Sequence, residues 1–214
     1  LVLWLIHDLE EDQLDVETAF LEGKLNENDK IYMTCPEGMD LEKDDVLLLK
    51  KGMYGLVQSA RLFYLRIKDY ITSEKVGMKK SPVDQCLFMK RGEKGLVILL
   101  LYVDDCAIFG ARAAIDEIFM LIREEFNIKT EGKLNDFLGC DIIRAKDQKK
   151  CWLLQPHLIK KLEQKYNDIL KGRIPTTPGT PGRVTLKFRE NDNTILTKKE
   201  QSEYRSGVGS LMYL

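Results

Sequence analysis

The chain has 214 residues, 44% hydrophobic and 31% charged, with a formal net charge of −1. That is enough apolar material for one large core. No apolar stretch is long enough to span a bilayer, and "LVLWLI" at the start is too short for a signal peptide and lacks its basic flank, so no membrane partner is expected. Five cysteines without a CxxC spacing argue against a zinc centre or a disulfide framework and for a reducing compartment. His7 and His157 are the only histidines, which leaves a His-based triad without support. The sequence opens without Met and in mid-pattern, and reads as a piece of something longer. Charge is uneven: residues 1–120 carry 15 Lys+Arg against 22 Asp+Glu, and residues 121–214 carry 18 against 12. An acidic part beside a basic part suits a protein that gathers carboxylates in one place and meets a polyanion in another. Charge alone is better read as ordinary solvated surface.

In chain order, "DQLDVETAF" predicts a short strand through Leu14 and Val16 that turns helical for a turn or two. "KIYMTCPEGM" predicts a strand running into a Pro-Gly turn, and "DVLLLKKGMYGL" another ending at glycines. From Gln58 to Glu74, Phe63, Ile67, Tyr70 and Ile71 recur at helical spacing. "DQCLFMK" and "GLVILLLYV" predict two strands joined by the loop "RGEKG", with "CAIFG" returning as a third. Ile115, Ile118, Phe119, Ile122 and Phe126 mark an amphipathic helix. "DFLGCDIIRA" and "CWLLQ" predict a hairpin. Leu158, Ile159, Leu162, Tyr166 and Ile169 mark a further helix. "GRIPTTPGTPGR", residues 172–183, breaks all periodicity and reads as a linker or surface loop. Thr197, with Glu200 three residues on, predicts a capping box opening a last helix.

One junction calls for an explanation. The seven apolar residues Val97–Val103 run directly into Asp104 and Asp105. Adjacent carboxylates repel each other and resist burial, so a bound cation is the natural reason for the pair. Asp15 sits at a strand ninety residues earlier. If the strands are neighbours, Asp15 and Asp104 can clamp a divalent ion. Mg²⁺ takes oxygen ligands and often uses only one or two carboxylates plus substrate phosphates. Two such ions, roughly 3.5–4 Å apart, can stabilise both the attacking and the leaving oxygen of a phosphoryl transfer.

An Asp pair alone is weak, because acidic turns are common. The ordered set "QLDVETAFLEGKL", "IYMTCPEGM", "LLKKGMYGLVQSARLFY", "LLLYVDDCAIFG", "FLGCDI" and "YRSGVGSLMYL" is specific. Over nearly the whole chain it resembles the reverse transcriptases of copia-type retrotransposons. The resemblance implies an α+β fold: a polymerase palm, an antiparallel sheet backed by helices, over 1–154, with partial fingers at about 24–56. Residues 155–214 would be a basic, thumb-like helical region and the start of the connection. It implies RNA-directed DNA polymerisation with two Mg²⁺ ions, or Mn²⁺ in their place. Asp15, the Val16 carbonyl and Asp104 would be metal ligands, with Asp105 the less critical acid. Thr18 and Ala19 would line the triphosphate through the backbone. Phe20 would exclude a 2′-hydroxyl; without the motif it would read as a core aromatic. Tyr54 and Gly55 would pack on the nucleotide. Gln58 and Ser59 would follow the template, with Ala60 standing where the family commonly has Pro. Leu138 and Gly139 would hold the primer end. Lys129 would protonate the leaving pyrophosphate, in competition with neighbouring lysines and with a plain solvated charge. Lys160, Lys161 and Lys165 would meet primer–template phosphates.

The implied partners are an RNA or DNA template with its primer, deoxynucleoside triphosphates, and the fingers, ribonuclease H and integrase parts of a Pol polyprotein. The implied location is intracellular, in a virus-like particle in the cytoplasm or in the nucleus. Only about fourteen residues precede Asp15, so part of the nucleotide clamp is expected to lie outside the chain, leaving the segment alone weak or inactive. The alternative is a truncated, non-catalytic relic or nucleic-acid-binding module. A nucleotide cyclase on a similar sheet would need a glycine-rich acidic turn that is not present.

Overall fold

The structure is a computed structural model that describes residues 1–39, 45–145, 147, 149–170 and 196–214. Residues 172–183, read above as a linker, lie outside the described residues. The chain groups into two units: Leu1–Leu138 with Ile142–Trp152, and Gly139–Asp141 with Leu153–Leu214.

In the first unit a short helix α1 (Val2–Ile6) leads into β1 (Glu10–Val16) and a single helical turn, α2 (Ala19–Glu22). β2 (Tyr32–Thr34) and β3 (Val46–Leu48) pair antiparallel as a small separate sheet. Then come α3 (Ser59–Ile71), β4 (Lys79–Lys80), β5 (Leu87–Gly92), β6 (Gly95–Tyr102), β7 (Asp105–Gly110), α4 (Arg112–Arg123) and β8 (Ile128–Gly132). The main sheet has six strands in the order β4-β5-β6-β7-β1-β8, and every pairing in it is antiparallel. This mixed fold of an antiparallel sheet with helices agrees with the α+β expectation. The remaining strands, β9 (Asp136–Phe137), β10 (Cys140–Arg144) and β11 (Cys151–Leu154), form a three-stranded sheet in the order β11-β10-β9.

The unbroken hydrophobicity of β6 has a structural reason: both faces of the sheet centre are covered. Val97, Leu99 and Leu101 join a core beneath α3 and α4 with Phe63, Ile67, Ile115 and Ile118. Ile98 joins a second core on the other face, with Trp4, Ala107, Phe109, Leu134 and Ile142. A strand covered on both sides must be apolar at every position rather than alternating. Each large side chain fully withdrawn from water contributes about 1.5–3 kcal/mol.

Several expectations need correction. The "RGEKG" loop is only the two-residue turn Glu93–Lys94, because Arg91, Gly92 and Gly95 are already paired in strands. "DFLGCDIIRA" is not one strand but two, β9 and β10, broken at Leu138–Gly139. α1, β4 and β8 carried no predicted element.

In the second unit α5 (Pro156–Leu170) and α6 (Lys198–Tyr213) supply the helical content. The predicted capping box is present: the Thr197 hydroxyl accepts from the Glu200 N–H, and the Glu200 carboxylate accepts from the Thr197 N–H.

Candidate active site

Strand alternation sets the acids. Leu14 and Val16 point into the core beneath the helices, so Gln13 and Asp15 face the opposite side of β1. Asp15 lies directly across from Asp105 in the β1–β7 register, and the Val16 N–H donates to the Asp104 carbonyl at 3.1 Å. The two acidic segments, ninety residues apart in sequence, thus meet at one end of the sheet. On its other side Asp15 is register partner to Lys129 of β8, whose side chain is exposed.

The hairpin tip is narrower than expected. Tyr102 pairs with Asp105, so the turn is Val103–Asp104 and Asp105 is the first residue of β7. Val103 has φ +54°, a left-handed backbone that β-branched residues avoid.

The electrostatics fit a crowded group of carboxylates. Burial raises the pKa of Asp15 above the ordinary Asp value, and the charges of Asp104 and Glu17 raise it further, while Lys129 pulls it down. Asp105 is raised by burial first, then by Asp104, Asp15, Glu131 and Asp136. Behind them the fully buried thiol of Cys106 is pushed far up by burial and then by the same three aspartates. Among the described residues, no group of three or more His, Cys, Asp or Glu side chains is gathered to hold a metal ion. A cation at this end of the sheet would meet fewer than three such side chains, which suits one that also carries phosphate ligands.

Beside the acids, Thr18 takes a left-handed conformation (φ +56°) and gives no side-chain cap to α2. With four residues, α2 has too little length for a substantial dipole, so an anion there would be held by individual N–H groups. Ala19 is buried and Phe20 half-buried. The Phe20 ring meets Tyr54 edge-on, with centroids 5.0 Å apart. Two aromatics singled out from separate motifs are therefore in contact, and Tyr54 is 60% exposed. Gly55 follows with φ +92°.

Ser59 closes its own loop. It is 1% exposed, and its hydroxyl accepts from the Met53 N–H (3.0 Å) and donates to the Met53 carbonyl (2.8 Å). Its side chain ties the 53–59 loop together. Gln58, the N-cap of α3, is half-buried and makes no capping bond.

Leu138 and Gly139 both have positive φ, +53° and +75°, and form the two-residue turn between β9 and β10. On α5, Lys160 and Lys161 are exposed, whereas Lys165 donates to the Ser206 hydroxyl at 2.9 Å. Sequence reasoning missed the acidic neighbours Glu17, Glu131 and Asp136. It also missed the ion pairs of Arg66 and Arg144, which join residues 44 to 136 positions apart.

Comparison with known proteins decides the family. The model of the family described as reverse transcriptase (RNA-dependent DNA polymerase) matches residues 3–177. The chain belongs to the reverse transcriptase family. It is similar to a retrovirus-related Pol polyprotein from transposon TNT 1-94 of Nicotiana tabacum, 35% identical over 96% of this chain and 16% of the relative. It is also similar to one from transposon RE1 of Arabidopsis thaliana, 34% identical over 94% of this chain and 13% of the relative. A putative transposon Ty5-1 protein of Saccharomyces cerevisiae is 27% identical over 94% of this chain and 62% of its own length. The chain therefore spans about a sixth or less of the first curated relatives it matches. No solved structure matches it. The copia-type resemblance is borne out by these relatives. Reverse transcriptases use divalent metal ions and act on nucleic acid and nucleotides. Among the described residues, no helix is long and apolar enough to cross a membrane.

Proposed function

We propose that this reverse transcriptase segment is the palm of an RNA-directed DNA polymerase. In the reaction, the 3′-hydroxyl of a primer attacks the α-phosphate of a deoxynucleoside triphosphate and pyrophosphate leaves. The observation that carries the reading is the register that sets Asp15 opposite Asp105 while the Asp104 carbonyl bonds the Val16 N–H.

The residues present fit a divalent cation. Asp15 and Asp105 are partly buried beside further acids, and burial and then those charges raise the pKa of each, so a cation relieves both burial and repulsion. Asp15, Asp104 and the Val16 carbonyl would hold it, with Mg²⁺ the ion that suits an all-oxygen set. When bound, two such ions supply Lewis-acid stabilisation of the attacking and leaving oxygens.

The chain's own groups do the rest. Phe20, steadied by Tyr54, would stand where a ribose 2′-hydroxyl projects and exclude it by volume. The Thr18 and Ala19 N–H groups would line the triphosphate. Tyr54 and Gly55 would form the floor under the base, with Gln58 and the backbone of Ser59 beside the template. Lys129, across the sheet from Asp15, would stabilise Asp15 as the anion and give a proton toward the leaving pyrophosphate. Leu138 and Gly139 would hold the primer end, and Lys160, Lys161 and Lys165 the duplex phosphates. The β2–β3 sheet would belong to the fingers and α5–α6 to the thumb and connection. The rest of the Pol polyprotein, ribonuclease H and integrase included, would act beside it in the cytoplasmic particle.

The test is primer extension on an RNA template with Mg²⁺, using the protein as its gene encodes it. Template-dependent addition that Asp15→Asn abolishes supports the reading. Nucleic-acid binding with no addition by the wild type, with Mg²⁺ or with Mn²⁺, leaves a non-catalytic binding module.

A further inference from the structure

α2 cannot hold its own orientation. One turn of helix fixes several dihedrals for little hydrogen bonding, and isolated helices this short are unstable. Its entry residue, Thr18, provides no cap and sits in a strained backbone region. Yet this turn carries Phe20, whose proposed task depends on where its ring edge lies. Something outside α2 must fix it.

The fixing group is Arg66 of α3. One Nη donates to the Glu22 backbone carbonyl at 2.6 Å and to the Glu22 carboxylate. The other donates to the Glu125 carboxylate at 2.9 Å. The guanidinium lies 5.2 Å from the centroid of the Phe126 ring. Arg66 thus uses its planar fork to bind three acceptors and stack on an aromatic at once, which a lysine cannot do. The Glu22 carbonyl is one of the last acceptors of α2 and would otherwise be unmet within the helix. Next to it, Gly23 lets α2 press on α3: a Cβ at that position would lie 2.5 Å from the Leu62 Cβ. The Gly23 carbonyl in turn accepts from the Gly52 N–H at 2.8 Å, two residues before Tyr54.

We infer that Arg66 is a positioning residue for sugar selection: it clamps the end of α2 to α3 and so holds Phe20 against Tyr54. The inference rests on Phe20 being the sugar gate. Arg66 spends its hydrogen bonds on Glu22 and Glu125 and not on Asp15, Asp104 or Asp105. Losing it frees Phe20 while leaving the Asp15–Asp105 register, which is set by β1 and β7, in place. The rate of deoxynucleotide addition then changes little, and discrimination against ribonucleotides falls.

The experiment compares incorporation of ribo- and deoxynucleotides by the folded enzyme as its gene encodes it. Phe20→Val sets the full effect of opening the gate. Arg66→Met, which keeps a long unbranched side chain and removes the guanidinium, is expected to lower the preference for deoxynucleotides by roughly tenfold, within the range that small changes of pocket fit produce. Arg66→Lys and Glu22→Gln give smaller shifts in the same direction, and they carry the test if Arg66→Met does not fold. In a Phe20→Val background, Arg66→Met adds nothing to the ratio, because both act on one ring. If Phe20→Val shifts the ratio and the Arg66 and Glu22 variants do not, the positioning role is overturned and the gate stands. An additive double variant overturns it too. If Phe20→Val itself leaves the ratio unchanged, the gate reading fails, and the positioning role fails with it.

Discussion

β6 begins and ends in two-residue turns, and the two differ in which residue takes the unusual backbone. At the Glu93–Lys94 turn the positive φ, +112°, falls on Gly95, which lacks the Cβ that would clash. At the Val103–Asp104 turn it falls on a valine at +54°. A backbone of this kind costs about 1–3 kcal/mol and persists only where its surroundings over-determine it. Here the surroundings are the Tyr102–Asp105 pair and the Val16 to Asp104 hydrogen bond. The exposed turn merely reverses the chain, and glycine serves it. The turn beside the acids keeps a rigid, branched residue, so the carboxylates inherit a fixed position. The lesson is that one strand can be relaxed at one end and strained at the other because its middle is locked on both faces.

The comparison can be broken at the acids. Asp104→Asn leaves the turn's backbone intact but removes a proposed ligand, so nucleotide addition should fall by roughly a thousandfold or more. Single-nucleotide primer extension checks this, and near-wild-type addition would remove Asp104 from the chemistry. It can be broken next at the locked middle. Leu99→Ala, at a fully buried site, should destabilise by about 2–5 kcal/mol in urea unfolding. A loss well under 1 kcal/mol would mean that the centre of β6 is not the anchor.

Exchanging the turn residues sharpens it further. Val103→Gly should raise stability, or leave it unchanged, by relieving the left-handed valine, while nucleotide addition drops because the acids are less well fixed. Gly95→Ala should destabilise by about 1 kcal/mol with addition unaltered. Melting and extension assays run on the same pair decide it, and matched effects from both would erase the distinction between the ends.

The smallest effect is a pH dependence. The pKa of Asp105 is raised in the folded protein, mainly by burial and then by Asp104, so its ionised form costs stability. That cost is fully present above the raised folded value and disappears as pH falls toward the ordinary Asp value. Asp105→Asn should therefore be more stable than wild type near neutrality, with the gain vanishing as the medium is acidified. A gain constant across that window would contradict the assignment.

The legible parts were those with a strong local pattern. The apolar run Val97–Val103 through β6, the Asp pair after it, the periodic α3 and α4 and the Thr197–Glu200 cap each announce themselves within a few positions. β8 was missed because "IKTEG" holds a single apolar residue: it is an edge strand whose place is set by pairing with β1. β4 is two lysines, a length that shows no period at all. Asp105 was assigned to the turn because a sequence shows that acids follow a strand but not which of them first pairs. The tie of Ser59 to Met53 has no local signature either, since the loop between them is closed only in three dimensions. Arg66 carries no local signal, because its meaning depends on Glu22 and Glu125, 44 and 59 residues away.

The burial of Cys106 turns the site into its own chemical clock. A thiol reacts as the thiolate, and here that form is suppressed by burial and by three neighbouring carboxylates. Cys35, Cys86, Cys140 and Cys151 are only half-buried and would be labelled first. The last cysteine to react would be Cys106, and only in molecules where the core between β7 and the helices α3 and α4 has opened. Its labelling rate under native conditions would therefore count the openings of the core on which the strand pair carrying the acids rests, and any nucleotide complex that steadies the sheet should slow that count.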